Sequence, residues 1–310
     1  QDLHYTQAKQ KINIGKNLTR GLGTGMNPEL GEQSAEENRE EITEALKGTD
    51  MVFITAGFGG GTGSGASPVI AEIAKQVGAL CVGVVTKPFS FEGAQRARIA
   101  EEALVKFKDR VDALITIPND RIFNIIEKDT PLIKAFETID DVLRHSVQGI
   151  AEIVAAPGII NVDFADVKAV LSESGPAIVG IGISSGDDRH ITAAKLAIQS
   201  PLIELSIDGA RGMLFSVAGG KDLKMSEIQE AAKIITESID SNAKVIFGAY
   251  HDRKLRKGFL KVTVIAAGFS NLGFMKSSTF PTLFNLKGEP RVKKSETPAA
   301  LPSEEEEIKK

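Results

Sequence analysis

The sequence has no tryptophan, a single cysteine and only 5% aromatic residues in 310 positions. One thiol cannot close an internal disulfide, and Cys81 sits inside the apolar run Leu80-Cys-Val-Gly-Val-Val85, as a buried thiol in a reducing compartment would. No apolar stretch approaches the ~20 residues a membrane span needs, and no signal peptide is recognisable. The net charge of −4 offers no bulk attraction for nucleic acid. What remains is a chain of two-domain length with 42% hydrophobic residues, enough for real cores, and the expectation of a soluble cytoplasmic protein.

The most telling segment is Gly59, Gly60, Gly61, Thr62, Gly63, Ser64 and Gly65, directly after the apolar run Met51-Val-Phe-Ile-Thr-Ala56 and before the helical stretch Ala66–Val77. Glycines let backbone N–H groups approach an anion, and the helix behind adds unsatisfied donors and the positive end of its dipole. Thr62 and Ser64 can add hydroxyl donors. The same composition also suits a flexible linker, but a linker does not stand between a buried strand and a helix. No Gly-Lys-Ser/Thr follows, and the spacing fits the Gly-x-Gly-x-x-Gly dinucleotide fingerprint poorly. The next strand ends in Val85-Thr86-Lys87 and lacks the acidic residue of a dinucleotide oxidoreductase. A nucleotide loop of another kind is expected.

Around it, helices are predicted over Glu32–Leu46, Ala66–Val77 and Glu92–Lys108, and strands over Met51–Ala56, Leu80–Thr86 and Ala113–Pro118. These strands are short and apolar on both faces, the pattern of a doubly wound α/β sheet, which binds ligands beyond the carboxyl ends of its strands. Leu132, Phe136, Ile139, Leu143, Val147, Ile150 and Val154 form one stripe of a long helix between Pro131 and Pro157-Gly158. Ala135, Val142 and Ile153 widen it, which favours a helix packed between two domains over a surface helix. Beyond it, strands Ala177–Ile183, Met213–Ala218, Lys244–Gly248 and Leu260–Ala267 mix with helices Asp166–Glu173, Arg189–Gln199 and Ser226–Ile239 into an α+β unit with its own sheet. The expected division is 1–131, a core helix over 132–157, a C-terminal domain over 158–268, and a disordered tail over 269–310.

Several polar groups follow the predicted strands. Arg20-Gly-Leu-Gly-Thr-Gly-Met-Asn-Pro-Glu29 is an ordinary loop or a second cradle for the terminal phosphate. Glu92 and Arg96 are four apart on a helix, as a plain surface ion pair or as a ribose contact. Asn119 follows a strand. Phe136 lies about one turn from Asp140 and Asp141, and a flat ring with a carboxylate suits guanine, whose N1–H and amino group one carboxylate can engage together. Asn161, Asp163 and Asp166 interrupt an apolar loop. Asp166 can simply cap the helix that follows, or the group can orient and polarise a water.

Taken together, the glycine loop, Asn27-Pro-Glu29, Phe91-Glu-Gly-x-x-Arg96, Ile117-Pro-Asn-Asp120, Val147-Gln-Gly-Ile150 and Asn161-Val-Asp-Phe-Ala-Asp166 resemble the FtsZ family, the bacterial relatives of tubulin, from residue 1 to about 268. The resemblance implies a tubulin-like fold: a doubly wound parallel-sheet GTPase domain joined by a long core helix to a smaller α+β domain. It implies a GTPase that binds GTP or GDP with Mg²⁺ and assembles head to tail with itself at the division site, tethered to the membrane by partner proteins and neither inserted in it nor bound to nucleic acid. It assigns the phosphates to Gly59 through Gly65, with Thr24, Gly25 and Met26 near the terminal one. Ribose falls to Glu92 and Arg96, and guanine to Asn119, Phe136 and Asp140 or Asp141. Asn161, Asp163 and Asp166 would enter the next subunit's site, which makes hydrolysis depend on assembly. No side-chain metal ligand is assigned. The alternative is a truncated or non-hydrolysing tubulin-like structural protein that binds nucleotide.

The family also opens with a strand, another Gly-rich loop, a helix and a second strand, whose end Gln1-Asp2 matches. An incomplete sequence of an ordinary member is therefore expected. The family's apolar-basic terminal peptide is not recognisable in Glu304-Glu-Glu-Glu-Ile-Lys-Lys310.

Overall fold

In the computed structural model the chain runs α1 (Asp2–Tyr5), α2 (Lys16–Thr19), α3 (Pro28–Glu37), α4 (Arg39–Leu46), β1 (Met51–Gly57), α5 (Gly61–Gln76), β2 (Leu80–Lys87), α6 (Ala94–Lys108) and β3 (Ala113–Pro118). It continues through α7 (Leu132–Ala155), β4 (Gly158–Ile160), α8 (Phe164–Leu171), β5 (Gly175–Ser185), α9 (Arg189–Ile198), β6 (Gly212–Gly219), α10 (Met225–Thr236), β7 (Lys244–His251) and β8 (Phe259–Ala267). The structure describes residues 2–127, 129–155, 158–199, 207, 209–240, 242–252 and 255–269. The tail expected beyond Phe269 lies outside them.

Among the described residues all the strands join one eight-stranded sheet in the order β1-β2-β3-β5-β8-β6-β7-β4, so the second unit does not have the separate sheet expected of it, because β5 pairs directly with β3. β1, β2, β3 and β5 run parallel, β8 is antiparallel between β5 and β6, β7 parallels β6, and β4 closes the far edge antiparallel to β7. The doubly apolar pattern of β2 has its reason here. Cys81 and Val85 face Ala71 and Ala74 of α5 and Ala100, Ala103 and Phe107 of α6. Leu80, Val82 and Val84 face Ile150 and Ile153 of α7 and Val167, Val170 and Leu171 of α8. Burial, and then the neighbouring Asp112 carboxylate, push the Cys81 thiol up to about 12, so this sulfur is inert as a nucleophile.

The breadth of the α7 stripe is explained by the same core. Its buried side chains pack with β2 and β3 residues and also with Leu214 of β6 and Ile265 and Ala267 of β8. Phe136 leaves the stripe: Ala135 and Ile139 are buried, whereas Phe136 is 45% exposed. On the other face of β5, β8 and β6, Ala193, Ala197, Ile228, Ala231 and Ile235 of α9 and α10 cover Met213, Phe215, Val262 and Val264.

Three local expectations change. The single helix over Glu32–Leu46 is two, broken at Asn38 (φ −109°, ψ 21°). Asn38 turns its side-chain oxygen to the Gly15 N–H (3.0 Å), and the first helix begins earlier, at Pro28 under an Asn27 cap that accepts from the Leu30 N–H. The helix after the glycine loop starts at Gly61, inside the glycine run. Asp2 lies in the single turn α1 rather than at a strand end; without a partner strand among the described residues, it has no ladder to join.

A buried ion pair ties α9 to α10. Arg189 donates from Nε and Nη2 to both Glu227 oxygens (2.7 and 2.9 Å) and from Nη1 to Asp222 (2.6 Å). Truncating one member of such a pair leaves the other charge buried alone, so Arg189→Leu is expected to cost about 3–5 kcal/mol at neutral pH. The hydrogen bonds from Arg189 hold the Glu227 carboxyl below its ordinary 4.5, against the opposing effect of burial. A depressed folded pKa contributes stability above the unfolded value and loses it as pH falls through the folded one. The gap between wild type and Arg189→Leu in urea unfolding should therefore shrink below about pH 4.5. A gap that stays constant into acid would disprove the charge origin.

Candidate nucleotide site

β1, β2 and β3 end in register, with Gly57 beside Thr86 and Thr86 beside Ile117. Three loops therefore leave the sheet side by side at its carboxyl edge. After β1 the chain makes one turn and enters α5. Gly59, at φ +98°, takes a conformation that disfavours a side chain, and an added Cβ there would also stand 3.0 Å from Arg96 O. Ser64 is buried and its hydroxyl accepts from the Gly59 N–H (3.0 Å). Thr62 remains the exposed hydroxyl of this turn. No side chain caps the start of α5, so its first N–H groups are left for another acceptor.

The loop Thr24–Asn27 lies against that helix start. Thr24 Oγ1 is 3.4 Å from Thr62 Oγ1, and a Cβ on Gly61 would meet Thr24 Oγ1 at 2.0 Å and Asn27 N at 2.7 Å. Gly25 (φ +58°) and Met26 (φ +64°) both adopt left-handed backbone, rare for methionine, closed by Asn27 N–H donating to Thr24 O (3.1 Å). Thr24, Gly25 and Met26 are thus brought to the glycine turn.

The loop after β2 carries Glu92 and Arg96. Glu92 accepts from the Phe89 N–H (2.9 Å) through one oxygen and from Arg96 (2.7 Å) through the other. The part-exposed pair is worth under about 1 kcal/mol as a bond, but it fixes both groups beside Gly59, and each oxygen keeps a lone pair for a hydroxyl. The loop after β3 is tied to this one, because Asp120 accepts from both the backbone N–H and the hydroxyl of Ser90. Next to Asp120, the Asn119 side-chain oxygen is buried and unpartnered among the described residues. Buried side-chain oxygens nearly always have a hydrogen-bond partner, so this one can accept from a group outside the chain.

Phe136 meets this shelf from α7, with its ring 5.6 Å from that of Phe89 and edge-on to it. The sequence reading missed the rest of the aromatic group. Phe91 stacks on Phe89 at 4.8 Å, Phe123 lies 5.5 Å from Phe89, and Phe91, Phe123 and Phe136 are all exposed. The signal was present: Phe89, Phe91 and Phe123 all follow the ends of strands that were predicted. Of the two aspartates, Asp141 pairs with Arg144, while Asp140 is exposed. Asp140 and Phe136 are four apart and share a helix face.

The acidic loop lies elsewhere. Asn161, Asp163 and Asp166 are exposed and follow β4, the strand at the opposite edge of the sheet from β1. The loop also follows the far end of α7 from Phe136, whose ring meets the shelf. From Phe136 to Ala155 that helix extends about 29 Å at 1.5 Å per residue. No hydrogen bond or ion pair among the described residues joins this loop to the glycine turn. Asp163, not Asp166, caps α8, accepting from the Ala165 N–H (3.2 Å), and Asn161 accepts from the Gly158 N–H (2.7 Å). The helix starts at Phe164, earlier than predicted, because Asp163 is the better-placed cap. A cavity of about 760 Å³ bordered by Lys75, Val170, Glu173 and Lys244 opens near the amino ends of β3, β5, β6 and β7 and is lined by none of the candidate site residues. Among the described residues no cluster of three His, Cys, Asp or Glu side chains could cage a metal, and no helix is long and apolar enough to cross a membrane.

Residues 1–127 match the Tubulin/FtsZ family GTPase domain and residues 175–270 match the FtsZ family C-terminal domain. Among solved structures, the empty FtsZ dimer of M. jannaschii is 46% identical with a TM-score of 0.81, covering 86% of this chain and 77% of its own. The W319Y mutant of M. jannaschii FtsZ, also 46% identical, has a TM-score of 0.82 over 86% of this chain and 80% of its own. GTPγS-bound CetZ2 protofilaments from Haloferax volcanii share the fold at 22% identity, with a TM-score of 0.72 over 87% of this chain and 81% of that one. With both domain matches in order along one continuous sheet, and the extent of identity to M. jannaschii FtsZ, this chain belongs to the FtsZ family of tubulin-like GTPases.

Proposed function

We propose that this protein binds GTP on the shelf at the carboxyl ends of β1, β2 and β3 and hydrolyses it only when a second copy docks head to tail. The observation that supports this reading is the separation of the glycine turn, on the shelf that Phe136 meets near the start of α7, from the acidic loop, which follows the other end of that helix. A group exposed at one end cannot serve its own nucleotide, yet in a translational repeat of the chain it faces the next one. The uncapped α5 and the Thr24–Met26 turn would hold the phosphates, Glu92 and Arg96 the ribose, and Asn119, Phe136 and Asp140 guanine. Asn161 and Asp163 are engaged in shaping their own loop. Asp166, whose side chain makes no hydrogen bond among the described residues, is the group left to orient a water for attack on the terminal phosphorus, releasing GDP and phosphate.

A Mg²⁺ ion fits this site only as a companion of the phosphates, because the described side chains offer it no cage; there it would offset their charge. Dimers are known for M. jannaschii FtsZ and protofilaments for CetZ2, as their structures are named. By the same family relation we assign the filament to the division ring in the cytoplasm, with membrane attachment through tethering proteins, and the residue ranges 1–131, 132–157 and 158–268 to nucleotide domain, core helix and loop-bearing domain.

GTP hydrolysis per subunit, measured against concentration of the full-length protein, tests the shared site. A threshold followed by a steep rise is expected. Turnover strictly proportional to protein from the lowest concentrations would place the whole site within one chain.

A further inference from the structure

The acidic loop is anchored by a buried polar network outside the nucleotide shelf. Glu152, six residues before Gly158 on α7, accepts from Tyr250 Oη (2.7 Å) of β7 and from Lys261 Nζ (2.7 Å) of β8. Lys261 also donates to Asp252 (3.0 Å), and Gln148 donates to Glu152 from the preceding turn. The side chains of Glu152, Lys261 and Asp252 are only 20%, 13% and 12% exposed. Ion pairs this enclosed contribute little net stability after desolvation, so their use is better sought in fixing a register.

The register in question leads to the loop. The backbone of Tyr250 pairs with Gly158 in the β4–β7 ladder, and the Gly158 N–H holds the Asn161 side chain. Tyr250 therefore grips the chain on both sides of the α7–β4 turn, at Glu152 through its hydroxyl and at Gly158 through its backbone. β4 is only three residues long with an irregular register, so its own ladder is a weak constraint.

We infer that Glu152, Tyr250 and Lys261 are positioning residues for hydrolysis, holding the base of the Asn161–Asp166 loop in the attitude at which it completes the neighbouring subunit's site. This rests on the shared-site reading above. The network joins α7, β7 and β8 and includes none of the residues of the nucleotide shelf, so its loss should lower kcat and spare nucleotide binding. Burial alone would raise the Glu152 carboxyl, but hydrogen bonds from Lys261, Tyr250 and Gln148 outweigh it and hold it below the ordinary range, so Glu152 stays charged at neutral pH.

The test uses full-length Tyr250→Phe, which removes one hydroxyl and keeps the ring, and Glu152→Gln, which keeps the size and removes the charge. Asp166→Ala serves as reference. Thermal melting identifies any variant that fails to fold, and the remaining one decides. Each should assemble normally and keep KM for GTP within about twofold, while kcat per assembled subunit falls about tenfold to a hundredfold, the scale of a small misplacement of a reacting group. Mixing with Asp140→Ala, which keeps an intact loop but has an impaired base site, should restore turnover on the variant's nucleotide. Wild-type kcat in both variants beside an inactive Asp166→Ala overturns the positioning role and leaves the shared site standing. Loss of kcat without recovery in co-assembled mixtures overturns it too, since the defect is then not in the donated loop. An active Asp166→Ala removes the shared-site reading itself, and this inference with it.

Discussion

Replacing Asp166 with alanine in the full-length protein is expected to leave GTP affinity within about twofold of wild type and to lower turnover at least about a hundredfold, the usual worth of a positioned proton-handling group. The carboxylate is exposed in the first turn of α8, and its helix is capped by Asp163, so the substitution removes no cap and opens no cavity. Folding and assembly should therefore survive it. Its distance from the shelf makes the second half of the experiment decisive. Combined with Asp140→Ala, which retains a sound acidic loop, Asp166→Ala should regain activity wherever a good loop meets a good nucleotide. In random co-assembly of equal amounts, about a quarter of the interfaces have that arrangement. Full turnover by Asp166→Ala alone would remove the residue from the mechanism.

Two neighbouring glycines should both lose GTP affinity to the same methyl group, but only one should lose stability. At Gly60 the backbone is extended (φ −92°, ψ 175°), and an added Cβ meets nothing within 4 Å. Gly60→Ala should melt within about 0.5 kcal/mol of wild type. It should still weaken GTP binding at least about tenfold if phosphate oxygens occupy that open space. At Gly61 the Cβ would lie 2.7 Å from both the N and the O of Asn27 as well as 2.0 Å from the Thr24 hydroxyl. The hydroxyl can rotate away, but the backbone cannot, so Gly61→Ala must push the Thr24–Asn27 loop off the helix. A cost of about 1–3 kcal/mol together with loss of GTP binding is expected. Calorimetry and melting on both variants separate the ligand's space from the fold's. If Gly60→Ala binds GTP as tightly as wild type, the phosphates do not lie over this turn.

Much of the site could be read from local pattern because its residues follow strand ends, and strand ends are marked by apolar runs stopping at glycine, proline or charge. Met51–Ala56, Leu80–Thr86 and Ala113–Pro118 were each placed to within a residue or so, and the three loops they feed lie together in the structure. Helix starts were less visible. Asn27-Pro28 and Asp163 are ordinary caps, but the helical periodicity that follows each becomes plain only several residues later, so the sequence marks a later start. The break at Asn38 had no local signal, because its cause is a hydrogen bond to Gly15, 23 residues away.

The periodicities and motifs in the chain were enough to name the α/β class, the long helix and the glycine turn between β1 and α5, since each depends on side chains within a few positions of one another. Choices between equally spaced groups needed the folded chain. Phe136 belongs to a core stripe by spacing, yet it is 45% exposed beside Phe89; Asp141 is tied to Arg144, whereas Asp140 is not. The Glu152–Tyr250–Lys261 network joins residues about a hundred positions apart, and the separation of the phosphate turn from the acidic loop is a property of strand order. Spacing along a helix or strand carries no information about which distant segment arrives beside it, because that is set by how the whole sheet buries its two faces.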